Sequence, residues 1–388
     1  MIIRRFLQFI RTASAAERAA GARALARAYL MSQLDEPERA AAEAAMTILL
    51  DDPSPQVRLS LADVLAASEA APRHVIIGLA SDQPQIAGVV LARSPLIVDA
   101  ELVELVGRGE ARVQRAVAER RPLSFVVSAA IAEVGAPEAC VGLLDNDTAN
   151  IAEFSLARIA ERHGALGVVR DRLLERDDLP ISVRQRLIAD LSCLLGEFVA
   201  ERGWLAPDRA QDVVRECLDR ATLALTTPPN SHTVAGLVQH LAATRQLNTA
   251  LILRALCAGN IAFLEEALVR LTGLPVTKVA TALHDRSPQV IRALLRRAGI
   301  ADSAYPAFQA ALDVFAETDV GDEGYTAAAR KVLERVLTRY LAFDAGESDH
   351  LLLLLRRFAS EAARDEARRF AAHYASDEPL LIEASRAA

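Results

Sequence analysis

The stretch Leu49-Leu50-Asp51-Asp52-Pro53-Ser54-Pro55-Gln56-Val57-Arg58 decides how this chain reads. Two aliphatic residues close one apolar run, two acids and a proline break it, and Pro55 stands where a new helix can begin. Proline suits a first helical turn, because the N–H it lacks would have no partner there. Val57 then opens the next apolar stripe. The same grammar, a loop acid followed by an aliphatic residue at a helix start, recurs at Asp82/Ile86, Asp145/Ile151, Asp178/Val183 and Asp285/Val290. With Val113 included, the openings from Val57 to Val183 lie about 27 to 38 residues apart, the length of one helix pair per repeat.

Between these breaks the apolar spacing is helical. In residues 182–200, Val183, Leu187, Ile188, Leu191, Leu194, Leu195, Phe198 and Val199 make one stripe, and Val332, Leu333, Val336, Leu337, Tyr340 and Leu341 make another. No run sustains period-two alternation, so the expected fold class is all-α with essentially no sheet. A lone helical hairpin cannot bury both of its faces, and neighbours must stack to close a common core. Breaks at 226–231, 303–306 and 344–349 suggest helical repeats over 1–225 and 232–302 and a more globular helical block over 303–388.

The elements Asp52-x4-Val57-Arg58 and Asp178-x4-Val183-Arg184 resemble the start of the second helix in HEAT repeats. That resemblance implies a HEAT-like α-solenoid, a right-handed superhelix of hairpins, with Asp52, Arg58, Asp178 and Arg184 in a ladder of ion pairs along the loops. Asp285…Val290 departs from the pattern, with Ile291 where arginine is expected. At whole-chain level the sequence is similar to a bacterial family of unknown function built on such helices. The similarity is carried by Arg11-Thr12-Ala13-Ser14-Ala15-Ala16-Glu17-Arg18, the Leu49–Pro55 segment and Phe154-Ser155-Leu156-Ala157-Arg158-Ile159. That family implies a fold and no activity.

The 388 residues are 52% hydrophobic, 24% charged and 4% aromatic, a balance that excludes disorder and favours closely stacked helices over an aromatic-rich β core. The net charge of −7 is uneven: residues 1–30 carry +5 and the rest −12. An acidic body argues against nucleic acid, whose binding draws on neutralised phosphates. Cys140, Cys193, Cys217 and Cys257 include no C-x-x-C pair, so isolated buried thiols in the cytoplasm are expected rather than a disulfide framework or zinc site. No stretch reaches the roughly 20 apolar residues that span a bilayer. The basic, amphipathic residues 1–11 are read as a cap on the array, with contact to an anionic membrane surface as the alternative.

Candidate chemistry is sparse. His240, His284-Asp285 and Asp313 follow the order used by HD-type metal phosphohydrolases, yet Asp285 is already accounted for as the loop acid of a repeat. His232 and His240 are too far apart along a helix to share a metal. H-E-x-x-H, G-x-S-x-G and phosphate-binding glycine loops are absent. Arg108, Arg112 and Arg115 fall at i, i+4 and i+7, on one helix face, and form the candidate surface for an acidic partner. Trp204 is read as a plug between helices, with a partner anchor as the alternative. The sequence therefore points to a non-catalytic protein–protein interaction scaffold or adaptor, without cofactor or metal, whose protein partner is unidentified. The alternatives are a helical-repeat enzyme, either HD-like or DNA-glycosylase-like, and a nucleic-acid-binding module.

Overall fold

The computed structural model describes residues 9, 12–226, 231–285, 287–317, 325–342 and 350–386, with 231–232, 325–329 and 373–386 described by backbone alone. The described chain is all-helical; its one sheet-like feature is an isolated bridge between Leu123 and Ala149. It divides into two compact units, Met1–Leu191 and Ser192–Ala388.

The first unit contains α1 (Ala15–Met31), α2 (Glu36–Leu49), α3 (Pro55–Leu65), α4 (Arg73–Ala80), α5 (Pro84–Arg93) and α6 (Asp99–Gly107). It continues with α7 (Ala111–Ala118), α8 (Phe125–Val134), α9 (Pro137–Leu144), α10 (Glu153–His163), α11 (Gly167–Glu175) and the first half of α12 (Ile181–Glu201). Local chemistry sets the ends. Ser14 and Glu17 form a reciprocal capping box on α1, Asp35 caps α2, and prolines occupy the first turns of α3, α5 and α9.

Packing in this unit runs largely from one helix to the next but one. α1 lies on α3, α3 on α5, α5 on α7, α7 on α9 and α9 on α11; α2 lies on α4, α6 on α8 and α8 on α10. Two layers result. A continuous apolar core lies between them, from Ala19 through Met46, Leu61, Ile76, Leu91, Leu102, Ile131 and Leu156 to Leu187. α1 contributes Ala19, Ala22 and Ala26, small side chains that let α3 approach closely.

Buried and half-buried polar side chains tie successive loops. Arg18 holds Asp52 through two bonds of 2.8 and 2.9 Å, and Arg58 holds Asp82 through two of 2.6 and 3.0 Å. Arg18, donating to Asp52, keeps that carboxyl below the usual carboxylate range. Further along, the acceptors are backbone. Arg120 donates to the carbonyls of Leu91 and Ser94, Asn146 to those of Ala118 and Arg120, and Arg162 to those of Ala132 and Gly135. The last carbonyls of a helix have no partner within it and carry its negative dipole end, so a guanidinium placed there satisfies both. Asp178 and Arg184 do not pair with each other. Asp178 is held by Arg176 at 2.7 Å, and Arg184 donates to the carbonyls of Leu174 and Arg176.

The second unit holds the remainder of α12, then α13 (Pro207–Ala224), α14 (Ser231–Ala243), α15 (Thr249–Cys257), α16 (Ile261–Thr272) and α17 (Val276–Asp285). α18 (Pro288–Arg297), α19 (Tyr305–Glu317), α20 (Tyr325–Leu341) and α21 (His350–Arg386) complete it. Its centre is α15, in which every residue from Leu251 to Cys257 is buried. α16, α19 and α20 pack around α15, and α21 packs on α20. Gly273 closes α16 in the left-handed region at φ 67°, a conformation that costs a residue without Cβ little.

Two readings need correction. Cys140 and Cys257 are buried, but Cys193 and Cys217 are exposed: Cys193 borders an open cavity beside α12, and Cys217 lies on an exposed part of α13. Trp204 is 67% exposed and meets Phe198 edge to face at 5.9 Å. It plugs no gap, since the short connection after α12 turns the indole outward. Residues 1–11 apart from Phe9, the break at 227–230, Arg286 and the 344–349 segment lie outside the described residues.

Candidate functional site

The arginine stripe of the first unit is an exposed, locally paired surface. Arg108 ends α6 and donates to Glu104 at 2.8 Å; Arg115 on α7 donates to Glu119 at 2.9 Å. Arg112 stands exposed between them. Beside Arg115 a depression of about 400 Å3 is lined by Glu119, Arg121, Glu138, Asp145 and the apolar Val141 and Val168. Both signs of charge alternate around an aliphatic floor, which suits a mixed polar and apolar partner better than a polyanion.

The histidines are scattered. His284 and Asp285 are exposed at the end of α17, Asp313 lies on α19, and His240 on α14. Among the described residues no three His, Cys, Asp or Glu side chains gather so as to hold a metal. His74 meets Thr47 at 2.9 Å and His163 meets the Gly135 carbonyl at 3.1 Å.

The second unit holds two cavities of about 570 Å3 each, within the range of small-molecule sites. In the first, α12, α13 and the start of α15 surround Asp219, with Cys193, Gln211, Val214, Arg215 and Thr222 in the walls. α12 and α13 touch closely here: a Cβ on Gly196 would meet Val214 Cγ2 at 2.3 Å. Burial pushes the Asp219 carboxyl up to about 6, although Arg254 and Arg215 pull the other way. The desolvation cost of the carboxylate outweighs their attraction.

The second cavity lies where α13, α15, α20 and α21 meet. Its floor is Leu223, Cys257, Ala258, Leu333, Phe358 and Ala362, and Arg220, Arg254, Arg368 and Arg369 stand around it with Asp365. Arg254 is 7% exposed. It binds Glu361 of α21 at 2.5 and 3.3 Å and lies over the Phe358 ring at 4.2 Å, while its Nε has no hydrogen-bond partner among the described residues. Asp365 is shared by Arg220 at 3.1 Å and Arg368 at 3.5 Å. Burial drives the Cys257 thiol up to about 12, so it stays a neutral part of the floor.

None of these second-unit residues stands out as a motif. One signal was present: Leu251-Ile252-Leu253-Arg254-Ala255-Leu256-Cys257 sets a single charge in an otherwise apolar run. An arginine on a helix buried all round must find a counter-ion.

Residues 86–344 match the model of a bacterial family described as "Uncharacterised protein conserved in bacteria", DUF2336. The chain belongs to this family. The DUF2336 span begins in α5 and runs past α20. It therefore includes the arginine stripe, both walls of the Asp219 cavity and three of the four helices around Arg254. The fourth, α21 with Phe358 and Glu361, lies beyond the DUF2336 match. No curated protein and no solved structure matches the chain.

Proposed function

We propose that this DUF2336 protein is a non-catalytic interaction scaffold or adaptor of the bacterial cytoplasm, whose first unit is a right-handed HEAT-like α-solenoid. One observation carries the reading. In Met1–Leu191 α1, α3, α5, α7, α9 and α11 each pack on the next of that series, and the Arg58–Asp82 and Arg18–Asp52 ties join residues 24 and 34 positions apart. A repeated hairpin needs the same ties at each step, and that is the spacing of one hairpin. Such an array offers a long surface with little chemistry of its own. In HEAT-like arrays the second helix of each pair lines the inner curve, which here is the layer of α3, α5, α7, α9 and α11. The protein partner sits on this layer across Arg112, Arg115, Val141 and Val168, burying the aliphatic floor with charge complementarity at the rim. No helix among the described residues is long and apolar enough to cross a membrane.

Affinity capture from native cells with the wild-type chain and with an Arg112→Glu/Arg115→Glu/Val168→Asp variant tests the proposal. The expected result is a stoichiometric protein partner on the wild type that is lost from the variant. A partner set unchanged by the three substitutions, or bound nucleic acid with salt-dependent affinity, overturns it.

A further inference from the structure

We propose that the cavity around Arg254 binds an amphipathic anion, a molecule with a carboxylate or phosphate headgroup and an alkyl tail. This goes beyond the scaffold reading and does not depend on it. Four arginines and one acid line the cavity, and adding Glu361, the partner of Arg254, still leaves the positive charges in excess. Arg220 and Arg368 stand at the rim, their side chains 49% and 68% exposed, and among the described residues they share the Asp365 carboxylate. An arriving oxyanion meets two guanidiniums whose forks match carboxylate and phosphate oxygens. Arg254 is deeper, its charge answered by Glu361, so the excess positive charge that meets the anion lies at the rim.

The floor specifies the rest of the ligand. Leu223, Ala258, Leu333, Phe358 and Ala362 offer apolar surface without polar groups to read a heterocycle. The one amide in the wall, Asn260, is already used: its Oδ1 accepts from Phe263 N at 3.0 Å and its Nδ2 donates to Thr226 Oγ1 at 2.5 Å. A base or sugar lying on this floor would bury donors and acceptors that its apolar side chains cannot answer, at a cost in affinity. A hydrocarbon chain meets no such penalty and gains from leaving water.

Isothermal titration calorimetry of the full chain with dodecyl phosphate, dodecanoate and inorganic phosphate tests this, each alkyl anion being kept below its micelle concentration. One molecule per chain of at least one alkyl anion is expected, and the tighter of the two assigns the headgroup. Inorganic phosphate should bind at least 100-fold more weakly. Arg220→Ala/Arg368→Ala, both rim positions, should weaken binding at least tenfold at low salt. Ala362→Trp, which fills the cavity from α21, should abolish it with the helical circular dichroism intact. Absence of saturable alkyl-anion binding, inorganic phosphate binding as tightly as dodecyl phosphate, or wild-type affinity in the Ala362→Trp protein each overturns the proposal.

Discussion

In Met1–Leu191 the half-buried arginines answer backbone or regularly placed loop acids: Arg120, Arg162 and Arg184 each close the carbonyl end of an earlier helix. In Ser192–Ala388 the buried Arg254 answers a side chain 107 residues away, Glu361, and stands close to the titrating carboxyl of Asp219. The first pattern can repeat, because every helix ends with the same unsatisfied carbonyls. The second occurs where particular helices meet, and it leaves irregular space beside it. That contrast explains why the first unit offers a surface and the second offers cavities.

The largest effect should come from the singular pair. Arg254→Ala strands Glu361 in a poorly solvated place and should cost about 3 kcal/mol in urea unfolding. Arg254→Met/Glu361→Leu should recover most of that loss, since an apolar pair needs no counter-ion. A cost under about 1 kcal/mol for Arg254→Ala would erase the contrast between the units.

Arg120→Met removes one of the repeated latches and leaves the Leu91 and Ser94 carbonyls without their donor. A loss of about 2 kcal/mol is expected. The effect should be the smaller of the two, because the methionine still packs and the buried Leu91 and Ser94 carbonyls left behind are neutral, where Glu361 is a charge.

Asp219 gives a pH signature to the second unit. Burial raises its folded pKa from the model-compound value of 3.8 to about 6, so the native state keeps a proton that the unfolded chain has already released. Stability from this group is therefore lost as pH rises from about 4 to about 6. Asp219→Asn should match the wild type near pH 4 and exceed it by about 1–2 kcal/mol at pH 7. Parallel unfolding curves across that window check the sign; a variant that is less stable at pH 7 would show that Arg254 and Arg215 prevail over burial.

The smallest change belongs to the exposed stripe. Arg112→Glu/Arg115→Glu should shift unfolding by less than about 0.5 kcal/mol, so any loss of a bound partner would reflect the surface rather than the fold.

Much of the first unit was legible in residues. Pro55, Pro84 and Pro137 stand in the first turns of helices, and Asp52 and Arg58 each form an ion pair. The partners were not legible: Asp52 meets Arg18 and Arg58 meets Asp82. Asp178 and Arg184 carry the same motif but pair differently, because Arg176 reaches the acid first and a helix end takes the guanidinium. The site around Arg254 was less accessible still. Its apolar run announced a buried charge, while its acid lies on α21, a helix that no motif connects to α15.

The sequence alone determined that the chain is helical and where several of its helices begin, since apolar period, proline and loop acid act within a few residues of one another. The tertiary structure alone decided which arginine meets which acceptor, and that two cavities open beside Asp219 and Arg254. Those outcomes depend on how helices distant in the chain stack, and a buried charge is settled only by the group that packing brings within reach of it.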